Sequence, residues 1–166
     1  MPKIKLYLGI DPGLATTGYG IISNNQGELS CRGYGTIKTA AKTNFIDRLA
    51  KIYAAVNKLI IQYRPAGVAC EELFFCKNVK TALAVGQARG VILLAIKNNK
   101  VPFCEFTPLQ IKQTVCGYGQ ADKKQVQAMV KILLKMKNIP QPDDAADALA
   151  MAIAGEQYFN SPLYEK

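Results

Sequence analysis

The chain has 166 residues, room for one ordinary domain, and 21 Lys and Arg against 12 Asp and Glu leave a formal charge of +9. An apolar share of 49% excludes a disordered chain, and no apolar run approaches the roughly 18 residues of a membrane span. The absence of His excludes His triads, His general bases and His-rich zinc sites.

The opening MPKIKLYLGID reaches an acid too early for a secretory leader. It reads as a first strand, Lys5 to Asp11. Gly18 to Ser23 and Leu29 to Thr39 read as two more, joined by the turn Asn24 to Gly27, so an antiparallel meander is expected. Phe45, Leu49, Ile52, Tyr53, Val56, Leu59, Ile60 and Tyr63 form one helical stripe, which Pro65 stops. Ala66 to Glu71 is a short apolar strand ending in acids. A second helix, Asn78 to Asn98, places Ala82, Gly86 and Gly90 at four-residue steps. Its apolar residues spread around the circumference, so burial on more than one side is expected, one side against a second copy of the chain. Val101 to Phe106 is a fifth strand. Thr107-Pro108-Leu109-Gln110 is a capped helix start, and that helix ends near Gly117. Two further helices follow, Asp122 to Lys137 and Asp143 to Phe159. The order predicts an α/β fold, a mixed five-stranded sheet with helices on both faces. Residues 1–160 form one domain and 161–166 a loose tail.

Five cysteines (Cys31, Cys70, Cys76, Cys104, Cys116) contain no C-x-x-C pair. A disulfide framework or structural zinc is not expected, most read as small core residues in strands, and a reducing cytoplasm suits them.

The charge is unevenly placed. Thr107 to Pro142 holds Lys112, Lys123, Lys124, Lys131, Lys135 and Lys137 against Asp122, a net +5, while Asp143 to Lys166 is −4. A charge run alone reads equally as a solvated surface or a phosphate-binding face, and the acidic cluster beside it draws attention to the second. Asp11 closes the first strand before Pro12-Gly13, where a turn role is the plainer alternative. Glu71 and Glu72 close the fourth strand, and alternation lets only one of them share a pocket with Asp11. Asp143, Asp144 and Asp147 open the last helix. The macrodipole accounts for one or two of them and less well for Asp147, one turn inside. Converging carboxylates raise one another's pKa, and a divalent cation relieves the conflict. Oxygen ligands without His or a Cys pair point to Mg²⁺ or Mn²⁺, two of which activate water and stabilise the leaving oxygen at a phosphodiester. The residues alone therefore read as a metal-dependent nuclease.

Four stretches, GIDPGLATTGYGII, EELFFCKN with ALAVGQARGVI, QIKQTVCGYGQADKKQV and DDAADALAMAI, resemble the RuvC family of bacterial Holliday junction resolvases in order along nearly the whole chain. The resemblance implies an RNase H-like fold, a homodimer and Mg²⁺-dependent paired symmetric nicking of four-way DNA junctions in recombination and repair, leaving 5′-phosphate ends. It implies that Asp11, Glu71, Asp144 and Asp147 are the catalytic acids and hold two Mg²⁺ ions, with Mn²⁺ as substitute. It implies that Phe74 meets bases at the crossover and that Lys112 and Lys123, with Lys124 beside them, contact DNA; Phe75 is the core member of the aromatic pair. A branch-migration helicase complex of RuvA and RuvB is the implied partner, in the cytoplasm and with no membrane. The family more often carries Gln where this chain has Glu72. Three rival readings stand beside this one. Asp11-x-Gly13 with Thr16, Thr17 and Gly18 resembles the first phosphate loop of actin-like ATPases, which need two such domains. An RNase H-like nuclease for hybrids or structured RNA shares the acids. A non-catalytic junction binder would leave four acids in a DNA-binding pocket without purpose.

Overall fold

The computed structural model describes residues 4–72, 79–162 and 164. Strands β1 (Lys5–Asp11), β2 (Thr16–Asn25) and β3 (Glu28–Lys38) form the antiparallel meander. Helix α1 (Phe45–Tyr63) leads to β4 (Gly67–Glu71), and α2 (Val79–Asn98) leads to β5 (Phe103–Phe106). Both later strands run parallel to their neighbours, giving a mixed sheet in the order β3-β2-β1-β4-β5. Helices α3 (Pro108–Cys116), α4 (Lys123–Leu133) and α5 (Asp143–Asn160) complete the chain.

The sheet is covered on both faces. Leu8, Ile10, Ile21, Val68 and Cys70 meet α1 and α2 through Ile52, Val56, Ile60, Ala88 and Ile92. Tyr7, Ile22 and Ala69 face Leu149 and Ile153 of α5, with Ile111 and Val115 of α3 and Val126 and Val130 of α4 beyond. Cys70 and Cys104 are buried strand residues, Cys31 and Cys116 are half-buried, and all four are free thiols; Cys76 lies outside the described residues. Among the described residues no helix is long and apolar enough to cross a membrane.

The caps explain where most helices begin. Thr107 with Gln110 and Asp122 with Gln125 form reciprocal capping boxes, and Asn44 accepts from the Ile46 amide. The end of α4 corrects the sequence expectation: the helix stops at Leu133 rather than Lys137. Lys135 adopts a left-handed φ of 53°, the Met136 amide returns to the Lys131 carbonyl, and the Lys135 amide to that of Ile132. This is a Schellman ending with Lys where Gly is usual, so it leaves no signal in composition. The strands also differ at their ends: β2 starts two residues earlier than Gly18, and β5 starts at Phe103 rather than Val101.

α5 sits unusually close to the sheet. A Cβ on Gly9 would lie 1.9 Å from the Ala148 carbonyl oxygen, and one on Gly18 would lie 2.0 Å from that of Asp144. Bare backbone in β1 and β2 is what lets the helix start come down onto the strand ends. From Ala145 to Glu156 every residue of the helix but Asp147 is buried. Gly18→Ala should therefore push Asp144 off the sheet. The expected cost is about 3 kcal/mol, at the upper end for overpacking. For a chain of this size that is a fall of roughly 6–12 °C in Tm, read by thermal unfolding against Gly90→Ala, whose Cβ meets nothing within 4 Å.

Candidate active site

Ile10 and Cys70 are the last register partners of β1 and β4, so Asp11 and Glu71 follow side by side at the carboxyl ends of two adjacent parallel strands. Glu71 is half-buried and faces the other acids. Glu72, the next residue, is exposed, and its amide donates to the Phe106 carbonyl at 2.9 Å. The pleat thus separates the two glutamates. α5 supplies Asp144 and Asp147, one turn apart, from the helix start held against Gly18. Asp143 turns the other way. It accepts from Gln127 at 3.0 Å and pairs with Lys123 at 3.2 Å.

The electrostatics follow from this placement. Asp11 is raised from 3.8 to about 7, by burial first and then by Glu71, Asp147 and Asp144, with Lys123 opposing. Glu71 is raised by burial and by Asp147. Asp147 is raised by burial, although Lys123 donates to it at 3.1 Å and pulls the other way. Asp143 is lowered, chiefly by its bond from Lys123 and then by that from Gln127. Burial works against the Lys123 charge, and its bonds to Asp147 and Asp143 outweigh it, so the ammonium holds its proton above the ordinary value.

A cleft of about 200 Å³ opens beside the acids, lined by Glu71, Asp147, Lys112 and Lys123 over Ile111 and Met151. Among the described residues no three His, Cys, Asp or Glu side chains stand at metal-ligand spacing. Asp11 and Glu71 are near enough to other acids to be pushed up by their charge, without the group being drawn onto a common point. Hard oxygen donors, partial burial and mutual repulsion nonetheless suit a hard divalent cation.

The structure therefore brings Asp11, Glu71, Asp144, Asp147, Lys112 and Lys123 together. Lys124 is exposed on α4 and does not line the cleft. Phe74 and Phe75 lie outside the described residues. Two contributors escaped the sequence reading. Arg89 of α2, its side chain 14% exposed, donates from Nε to the Glu71 carbonyl at 3.2 Å and pairs with Glu105 of β5. Its only signal was a single cation within a run of small and apolar residues. Gln127 stands one turn after Lys123 and shares its carboxylate, a pairing that i, i+4 spacing allows and that only the α4–α5 contact completes.

A five-stranded mixed sheet in this order, with acids at the ends of its two central parallel strands and on the helix laid across them, defines an RNase H-like α/β protein with a nuclease-type acidic site. The family model for crossover junction endodeoxyribonuclease RuvC matches residues 7–155. A RuvC from Finegoldia magna is 53% identical over 146 residues, covering 88% of this chain and 89% of the relative. One from Caldicellulosiruptor saccharolyticus is 50% identical over 160 residues, 96% of each. The structure of Thermus thermophilus RuvC superposes with a TM-score of 0.85 at 35% identity, covering 92% of this chain and 94% of that one. The chain belongs to the RuvC family of crossover junction endodeoxyribonucleases. Yeast mitochondrial Ydc2, at 17% identity and a TM-score of 0.59, shares the fold.

The raised Asp11 makes a signed prediction for the metal-free protein. The folded state holds its proton up to about pH 7 and the unfolded state only to about 3.8. Its contribution to stability is therefore full below pH 4 and is lost as pH rises towards 7. Asp11→Asn should raise Tm by several degrees at pH 8 in EDTA and leave it nearly unchanged at pH 4, as measured by calorimetry.

Proposed function

We propose that this chain is a cytoplasmic homodimeric Holliday junction resolvase, a single nuclease domain over residues 1–160, whose Asp11, Glu71, Asp144 and Asp147 carry the chemistry. The observation that carries the reading is the set of four carboxylates raised or crowded at one sheet end, with Lys112 and Lys123 beside them. A RuvC of T. thermophilus, 31% identical with a TM-score of 0.85, has been solved with a Holliday junction substrate.

RuvC nucleases are metal-dependent. The four carboxylates would hold two Mg²⁺ ions, with Mn²⁺ as a substitute. Bound there, the ions would supply Lewis-acid activation of water and stabilisation of the leaving oxygen. The chain's own groups do the rest. Asp11 and Glu71 are fixed by neighbouring strands and Asp144 and Asp147 by one helix, so side-chain rotation on a fixed backbone would draw them onto the ions. Lys123 partly neutralises Asp147 and marks where positive charge is welcome. Lys112 faces the same cleft and meets the scissile phosphate, and Lys124, exposed on the next position of α4, reaches the backbone further out. Phe74, which lies outside the described residues, is assigned by the family resemblance to stack on bases at the crossover, where unstacking is cheapest. The products are a 5′-phosphate and a 3′-hydroxyl, and RuvA with RuvB is the branch-migration partner.

Support for the dimer comes from α2. Its inner side packs Ala88, Ile92 and Ala95 into the core, while Val79, Leu83, Gly90 and Leu94 form an exposed stripe along the outer side. Leu83 is 63% exposed, and a Cβ on Gly90 meets nothing within 4 Å. A two-fold partner on that stripe would present two matched sites to the two-fold symmetric junction.

On a synthetic mobile four-way junction, paired Mg²⁺-dependent nicks are expected, abolished by EDTA and missing from linear duplex; preference for an RNA–DNA hybrid would discard the substrate. Asp11→Asn and Glu71→Gln should lower cleavage at least about a thousandfold while junction binding in gel-shift assays is kept or improved. Glu72→Gln should stay within about twofold; an inactive Glu72→Gln would assign the wrong glutamate. Leu83→Glu should leave the fold intact, halve the mass in sedimentation, and turn paired nicks into single ones.

A further inference from the structure

A second cleft, of about 530 Å³, adjoins the acids from the other face of the sheet. It is lined by the backbone turn Gly13–Thr16 after β1, by Arg48 of α1, by Ala84 and Val85 of α2, and by Asp144. It shares no lining residue with the cleft of Lys112 and Lys123. Asp144 and Asp147, one turn apart, divide the two.

Its floor is built rather than incidental. Buried Thr17 donates to the Gly13 carbonyl at 2.6 Å. The Thr39 amide donates to Ala15 at 3.0 Å, and its hydroxyl donates to the Leu14 carbonyl. Arg48 then donates from Nε to the Thr39 oxygen at 2.9 Å. Nε is the inner nitrogen of the fork, so this bond aims the guanidinium while leaving its two terminal amino groups at the far end of the fork. A half-buried arginine locked by its Nε beside an acidic catalytic rim is a preorganised anion donor.

Resting on the nuclease reading above, we propose that this cleft is a nucleotide subsite for the cleaved strand, in which Arg48 binds the phosphodiester next to the scissile one, on the side away from Lys112 and Lys123. A strand whose scissile phosphate lies over the four acids continues in both directions. On one side it meets Lys112 and Lys123. On the other it enters a cleft whose only lining cation among the described residues is Arg48, with Leu14, Ala84 and Val85 offering an apolar wall to a sugar or base. The volume suits a nucleotide, where a lone phosphate would leave most of it unfilled. The turn that forms the floor begins two residues after Asp11, so seating the neighbouring phosphate also sets the strand's register over the acids.

The test is single-turnover cleavage of four-way junctions in Mg²⁺ with a neutral methylphosphonate replacing, in turn, each phosphate flanking the scissile one. The wild-type chain should lose about tenfold or more at one flanking position, the scale of a charge-assisted bond to phosphate. Arg48→Gln should be slowed about as much on the unmodified junction and no further by that methylphosphonate. Arg48→Lys should recover part of the rate and of the sensitivity. Thr39→Val, which removes the acceptor that aims the guanidinium and leaves its charge in place, should keep only part of the sensitivity. If the losses from Arg48→Gln and from the neutral phosphate multiply at both positions, Arg48 only braces the turn and the proposal fails. A wild-type chain inert on the unmodified junction would instead remove the nuclease reading, and this subsite with it.

Discussion

Everything at this site depends on how closely one helix lies on the sheet. α5 meets β1 and β2 where Gly9 and Gly18 offer no side chain, and its own Gly155 lets Ala69 of β4 approach. The contact is backbone against backbone, so the helix cannot slide or tilt without collision. Two consequences follow. The helix is buried on nearly every side, which its alanine-rich sequence permits. Its first turn also arrives over the ends of β1 and β4, which brings Asp144 and Asp147 to Asp11 and Glu71.

That geometry sets a charge problem which the surrounding elements only partly relieve. Asp11 lies deepest and is held near neutrality by burial and by three other acids. Lys123 opposes that rise, yet it divides its bonds between Asp147 and Asp143 at the rim. Gln127 draws Asp143 outward as well, which leaves Asp144 as the inner member of that adjacent pair. Crowded, partly buried carboxylates are destabilised without a cation, and one bound there would stabilise the folded state. The basic groups flank the acids instead of filling the space between them: Lys112 and Lys123 on one face of the sheet, Arg48 on the other.

α2 links this centre to the outside of the molecule. Its inner side gives Arg89 to the Glu71 carbonyl and to Glu105, so it steadies the ends of both β4 and β5. Its outer side is the exposed apolar stripe. A partner seated there would press on the same helix that holds Glu71, a direct mechanical path from assembly to the active site.

The sequence by itself determined the order and type of every element, the cap chemistry at Thr107 and Asp122, and the acids from which the site is drawn. Those features are local: periodicity, turn residues and capping reach over a few positions. Its errors fell where no local signal exists. Lys135 takes the left-handed position that ends α4 without a glycine, so the helix stops at Leu133 rather than at the expected Lys137. The choice of Glu71 over Glu72 and of Asp144 over Asp143 stayed open on spacing alone, and came there only from family resemblance. The tertiary structure separates the members of each pair, since the parallel register of β1 with β4 and the seat of α5 on Gly18 determine which oxygens share a pocket. Arg89, Gln127 and Arg48 were invisible for the same reason, because each acts on a partner brought to it by packing between elements distant in the chain.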